Sequence, residues 1–172
     1  MKFYEKHIVA VSVAVFASVQ LFSSTLSLNG TWLDAANNKM SIMQSDAKFI
    51  VSRQALKMNG NLNGSSVSLS IDNNTIITGS ISADNMIITW SNGSEWYREI
   101  SGSWKNKTGE AKNVEQAGNI IRIKNTKGGV EYLGFIKSNG LTIINKLNNN
   151  SVSGVLNSNQ QITWSDGSVW TK

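Results

Sequence analysis

The chain contains no cysteine and no proline, and its only histidine is His7 among 172 residues. Without cysteine there are no disulfides, no thiol nucleophile and no thiolate metal ligand. Beyond His7 there is no imidazole to act as a base or to hold zinc or copper. Cohesion must therefore come from packing alone. Charged residues make up only 16% of the chain, with no run of consecutive Lys or Arg. Long apolar runs are also lacking: the longest, Ile8 to Phe22, has 15 residues, whereas a membrane span needs about 20.

That run follows a start carrying Lys2 and Lys6 and precedes the small residues Ser23, Ser24, Thr25 and Ser27. A positive start, a short apolar stretch and small residues at the cleavage place are the parts of a secretory signal. Residues 1–27 are read as a signal helix cleaved near Ser27, with an uncleaved N-terminal anchor as the alternative; cleavage predicts a secreted, periplasmic or cell-surface protein with no stable membrane insertion. Residues 28–100 then hold five basic and six acidic groups, and residues 101–172 hold nine and four. The second half is basic and the first nearly neutral, a bias that attracts anionic polymers through nonspecific fields. Nucleic acid is not the expected partner.

The organising feature is an internal repeat. Ile88 to Trp96 reads ITWSNGSEW and Ile162 to Trp170 reads ITWSDGSVW. Gly30-Thr-Trp32 returns as Gly102-Ser-Trp104, Gln44-Ser-Asp46 as Gln116-Ala-Gly118, and Gly79 as Gly154. All six tryptophans (Trp32, Trp90, Trp96, Trp104, Trp164 and Trp170) fall at matched places. The chain divides into residues 28–100 and 101–172, two units of about 72 residues.

No stretch shows a helical apolar period, while alternation is plain in Val67-x-Leu69-x-Ile71, Ile77-x-Gly79-x-Ile81 and Met86-x-Ile88-x-Trp90. Short runs punctuated by Asn-Asn, Asn-Gly and Asp-Asn read as antiparallel strands joined by tight turns. The spacing predicts six or seven strands per unit, with Met86, Ile88 and Trp90 on one buried face. The fold class is all-β: two tandem antiparallel meanders, as small barrels or sandwiches, with one continuous barrel as the alternative.

Asn92-Gly93 and Asp166-Gly167 are hairpin signals, because these residues accept positive φ. A two-residue loop would send Trp90 and Trp96 to opposite faces. A three-residue loop, Ser91-Asn92-Gly93, pairs Ile88 with Trp96 and puts both indoles with Ile88 on the buried face, so the longer loop is expected in both copies. The tryptophans then form the structural core. A glycine inside a strand marks a close approach, and Trp90 is expected to cover Gly79 as Trp164 covers Gly154.

Gly30-Thr31-Trp32 and Gly102-Ser103-Trp104, each opening an antiparallel meander, resemble the strand start of lipocalin-type and avidin-type barrels. That resemblance implies a barrel whose interior takes a small apolar or amphiphilic ligand.

Catalytic groups are limited to carboxylates, lysines and tyrosines, and most of the acids lie beside Asn, Gly or Ser in turns. No catalytic residue, metal or cofactor is expected. Asp72-Asn73-Asn74 and Asp84-Asn85 are explained by turn chemistry, since Asx side chains bond their own backbone. A binding module is the favoured class, with a glycan or anionic surface polymer as ligand. Its candidate residues are the aromatics outside the repeat match, Tyr97, Tyr132 and Phe135, with Arg98, Arg122 and Lys124 close in sequence. The alternatives are a structural or surface-interaction protein and a small-lipophile-binding barrel.

Overall fold

The structure is a computed structural model that describes residues 26–72, 74–138, 140–158 and 161–172. The expected signal helix falls almost wholly outside the described residues. Among the described residues there is no helix. The first unit comprises β1 (Gly30–Asp34), β2 (Lys39–Ser45), β3 (Lys48–Arg53), β4 (Leu56–Asn63), β5 (Ser66–Ser70), β6 (Ile76–Ile81), β7 (Ile87–Trp90) and β8 (Glu95–Arg98). The second comprises β9 (Gly102–Asn106), β10 (Ala111–Ala117), β11 (Ile120–Lys124), β12 (Val130–Lys137), β13 (Gly140–Asn145), β14 (Ser151–Ser158), β15 (Gln161–Trp164) and β16 (Val169–Thr171).

Each set closes into its own barrel, by pairing of β1 with β8 and of β16 with β9. The two-barrel arrangement therefore holds over one continuous barrel, and each unit has eight strands rather than six or seven. Weak punctuation hides the missing boundaries in the sequence. Between β3 and β4 there is only Gln54-Ala55, and the reversal is carried by Gln54 at φ 53°. The strand after each tryptophan hairpin is short, four residues for β8 and three for β16.

The hairpins have the longer loop. Ile88 pairs with Trp96, the Trp90 amide donates to the Ser94 carbonyl at 2.9 Å, and Gly93 takes φ 80°. In the second copy Ile162 pairs with Trp170, Trp164 donates to Ser168 at 2.9 Å, and Gly167 takes φ 81°. The indoles meet edge to face, with centroids 4.7 Å apart for Trp90–Trp96 and 4.9 Å for Trp164–Trp170. All six tryptophans are buried, Trp32 and Trp104 completely. Met86 is a correction to the strand reading. It precedes β7, is buried, and belongs with Ile87 and Tyr97 to the apolar cluster of the second barrel, not to that of Ile88 and Trp90.

The matched glutamines close one end of each barrel. Gln44 Oε1 accepts from the Leu28 amide at 2.6 Å while its Nε2 donates to the Asp46 carbonyl at 2.8 Å. Gln116 repeats this with the Ile100 amide at 2.7 Å and the Gly118 carbonyl at 2.9 Å. The chain so held presents the carbonyls of Leu28 and Ile100 to the indole N–H groups of Trp32 and Trp104, at 2.9 and 2.8 Å. The exchange of Asp46 for Gly118 is explained as well: both sit at positive φ, 55° and 56°, which glycine and aspartate tolerate better than most residues. Gln116→Ala leaves a half-buried amide and two carbonyls without that partner. It is expected to destabilise the fold by about 2 kcal/mol, seen as a lower urea midpoint; an unchanged midpoint would show the clip to be idle.

The connection between barrels is short and held. Glu99 accepts from Lys39 Nζ and from Ser101 Oγ, both at 2.6 Å, and Gln116 Nε2 donates to the Arg98 carbonyl at 3.1 Å.

Candidate functional site

An up-and-down barrel places alternate turns at the same end. In the second barrel the turns β9–β10, β11–β12, β13–β14 and β15–β16 share the end opposite the glutamine clip, and there a cavity of about 400 Å³ opens. Its lining combines the aromatic residues Tyr132, Trp164 and Trp170, the apolar Ile143 and Val152, the amides Asn106, Asn145, Asn148 and Asn150, and Glu110, Lys112, Asp166 and Ser168.

Strand parity explains which side chains reach inward. On β10, Val114 is a core residue, so Lys112, two positions earlier, faces the interior as well. Its side chain is only 10% exposed, and Nζ donates to Glu110 at 2.8 Å and to Glu131 at 2.5 Å. Burial alone would lower the lysine pKa, but the bonds from Glu110 and Glu131 outweigh it and the net shift is upward. Lys112 is therefore a charged ammonium at neutral pH. Glu110 is held below the usual carboxylate range, chiefly by its bond to Lys112. Asp166 is lowered chiefly by its hydrogen bonds with Ser168, whose amide donates to Oδ1 at 2.9 Å.

The rim is built from Asx turns. Asn145 Oδ1 accepts from the Leu147 amide at 2.8 Å and Asn148 Oδ1 from the Asn150 amide at 3.0 Å. Asn106 Oδ1 takes the amides of Thr108 and Glu110 at 3.1 and 2.8 Å. These bonds fix the amide side chains around the opening instead of leaving them to swing. Trp164 Nε1 is buried with no hydrogen-bond partner among the described residues, as is Trp90 Nε1 at the matched place in the first barrel.

The matched end of the first barrel is filled differently. The pairs Trp32–Met40 and Trp104–Lys112 correspond, as do Val51–Met58 and Ile123–Tyr132. Two buried methionines in the first barrel are thus replaced by a lysine and a tyrosine in the second. The first barrel carries instead a shallow outer groove of about 630 Å³ over β4–β7, where Asn61, Asn63, Ser66, Ser68, Thr78 and Ser80 form polar rows with no charged group.

Of the six ligand-binding candidates named from sequence, only Tyr132 lies at the cavity, beside Trp164 and Trp170, which were expected there as core. Tyr97 is buried against the second barrel, and its hydroxyl donates to Glu95 at 2.5 Å. Burial first, then Glu95, pushes its phenol up to about 12, and at 7% exposure the ring offers no stacking face. Arg98 is buried at 3% exposure, below the Trp32 ring and bonded to backbone carbonyls. Phe135, Arg122 and Lys124 lie on outward positions of β11 and β12, with Lys137 Nζ 4.4 Å from the Phe135 ring centroid and Lys124 bonded to Glu115 at 2.6 Å. The six do not converge. The residues missed, Lys112, Glu110 and Glu131, carried a signal in the repeat itself: aligned at the offset of Trp32 and Trp104, Lys112 falls on Met40.

No family model, curated protein or solved structure matches this chain. Two tandem closed antiparallel barrels of eight strands define its class by fold alone.

Proposed function

We propose that the protein is an exported, non-catalytic binding module whose second barrel holds one sugar-sized, hydroxyl-rich ligand in its open end. The observation that carries this reading is the contrast between the two barrels. On one backbone plan, Met40 and Met58 fill the interior of the first, while Lys112 and Tyr132 stand at the same places in the second. A buried ion cluster is seldom more stable than well-packed apolar side chains of like volume, so stability gives no reason to keep Lys112 with Glu131. Recognition does. Aromatic faces take the C–H side of a sugar ring, while amides and carboxylates take its hydroxyls. Mouths of barrels are among the usual places for such sites.

A non-catalytic role is supported by how the carboxylates are engaged. Glu110 and Glu131 are both bonded to Lys112, and Asp166 is bonded in its turn. Glu110 and Asp166 are held below the usual carboxylate range by these hydrogen bonds, whereas the general acid of a glycoside-cleaving site needs a raised one.

The test rebuilds the second mouth as the first. Lys112→Met with Tyr132→Met is expected to keep the folded barrel, since Glu110 and Glu131 retain contact with solvent at 52% and 29% exposure, with some loss of thermal stability from the carboxylates left without their lysine, and to lose the saccharide binding of the parent protein on a glycan array and in calorimetry. Tyr132→Ala alone is expected to cost about 2 kcal/mol of binding, roughly thirtyfold in Kd. If the double variant binds as the parent does, the site is elsewhere.

A further inference from the structure

The turns around this opening differ from those of the first barrel in charge. Lys107 in β9–β10 stands where the first barrel has Ala35 and Lys146 in β13–β14 where it has Asp72, while Lys127 in β11–β12 keeps the positive charge that Arg53 carries at the end of β3. All three lysines are exposed. At this end Glu110 and Glu131 share Lys112 and Asp166 accepts from the Ser168 amide, so that Lys107, Lys112, Lys127 and Lys146 set four cations against three carboxylates. The remaining acid of the second unit, Glu115, is bonded to Lys124 on the outside at 2.6 Å. The unit as a whole holds nine basic groups against four acidic. An approaching polymer therefore meets cationic tips first and a polar, aromatic-walled cavity behind them.

We infer that the ligand of the second barrel is an acidic polysaccharide, one sugar of which enters the mouth while flanking carboxylates or sulfates lie across Lys107, Lys127 and Lys146. The inference rests on the sugar-binding reading above. A glycan is favoured over other polyanions because the lysine-bearing turns lie at the end where a cavity of about 400 Å³ opens, large enough to admit a sugar, rather than on a flat basic face. The rim supplies attraction at a distance and the cavity supplies selection.

The experiment compares polygalacturonate with its fully methyl-esterified, uncharged form, using the mature chain. Polygalacturonate is expected to bind at least tenfold more tightly at low salt. Its binding is expected to weaken roughly twentyfold between 50 and 200 mM salt, as counterion release from about three ionic contacts predicts. Lys107→Glu/Lys127→Glu/Lys146→Glu, with its melting temperature unchanged, is expected to lose the preference and keep the binding of the esterified polymer. Equal binding of both polymers by the parent protein overturns the acidic-ligand inference and leaves the sugar reading standing. Binding of neither overturns both. Polygalacturonate binding that survives Tyr132→Ala, or that is matched by oligo-dT or phosphatidylglycerol vesicles, shows a general basic patch and also overturns the inference.

Discussion

Replacing Gly154 by valine is expected to lower the stability of the protein by about 3 kcal/mol, and Gly79→Val by a similar amount. A Cβ on Gly154 would stand 2.7 Å from Trp164 Cε3, 2.8 Å from Cζ3 and 3.1 Å from Ile162 Cγ2. On Gly79 it would stand 2.8 Å from the Thr89 carbonyl oxygen and 2.9 Å from Trp90 Cε3. Neither indole can retreat, because each meets its partner tryptophan edge to face across the hairpin. Even alanine is too large at both places, and valine adds two methyl groups. Urea unfolding followed by tryptophan fluorescence measures the loss. A double-mutant cycle isolates its cause: Gly154→Ala combined with Trp164→Leu is expected to cost less than the sum of the single changes, because the shorter side chain frees the volume. Full additivity would mean that the indole is not what the glycine accommodates.

Arg98→Met is the second large effect, with an expected loss of about 4 kcal/mol. Arg98 Nε donates to the Asn85 carbonyl at 2.8 Å and Nη1 to the Asn29 carbonyl at 2.9 Å, while Nη2 reaches the Ser27 carbonyl. The guanidinium also lies 4.6 Å from the Trp32 ring centroid. One planar group thus holds the segment leading into β1, the turn before β7 and the tryptophan that closes the barrel. Burial lowers its pKa to about 10 against the opposing pull of Asp84, so it stays charged at neutral pH. Methionine can replace the contact with the ring but none of the donors, leaving those carbonyls without them. Arg98→Lys is expected to fall between, since an ammonium on a flexible stem cannot repeat the planar fork. The second barrel has Lys172 at the matched place, with Nζ 5.7 Å from the Trp104 centroid. A methionine variant as stable as the parent in guanidinium chloride would remove Arg98 from this role.

The hairpins could be read in the sequence because their information is local: Asn-Gly or Asp-Gly, two tryptophans and a parity argument determine the loop. The close approach at Gly79 and Gly154 was accessible for the same reason. Strand number was not, since closure is a long-range pairing of β1 with β8 and of β9 with β16 that leaves no local mark. The candidate site was largely missed for a reason of parity. Tyr132 points inward with Gly134 and Ile136, whereas Phe135 points outward, and being near in sequence says nothing about that. Tyr97 and Arg98 were separated in the same way by a single step along β8, one onto the neighbouring barrel and one beneath Trp32. Lys112 reads as an ordinary surface lysine unless the two units are aligned, which sets it on Met40, and its register against Trp104 then places it in the interior.

Closure of both sheets has a consequence for behaviour in concentrated solution. Strands this rich in Ile, Val and Thr would be prone to recruit further chains through bare main-chain amides, the route to fibrils and swapped dimers. Here the first strand of each sheet is hydrogen-bonded to its last, so neither sheet has an open border to offer. A chain without disulfides thereby escapes self-templating growth through its topology, and a change that opened β1 from β8 would be expected to show as turbidity before it showed as lost binding.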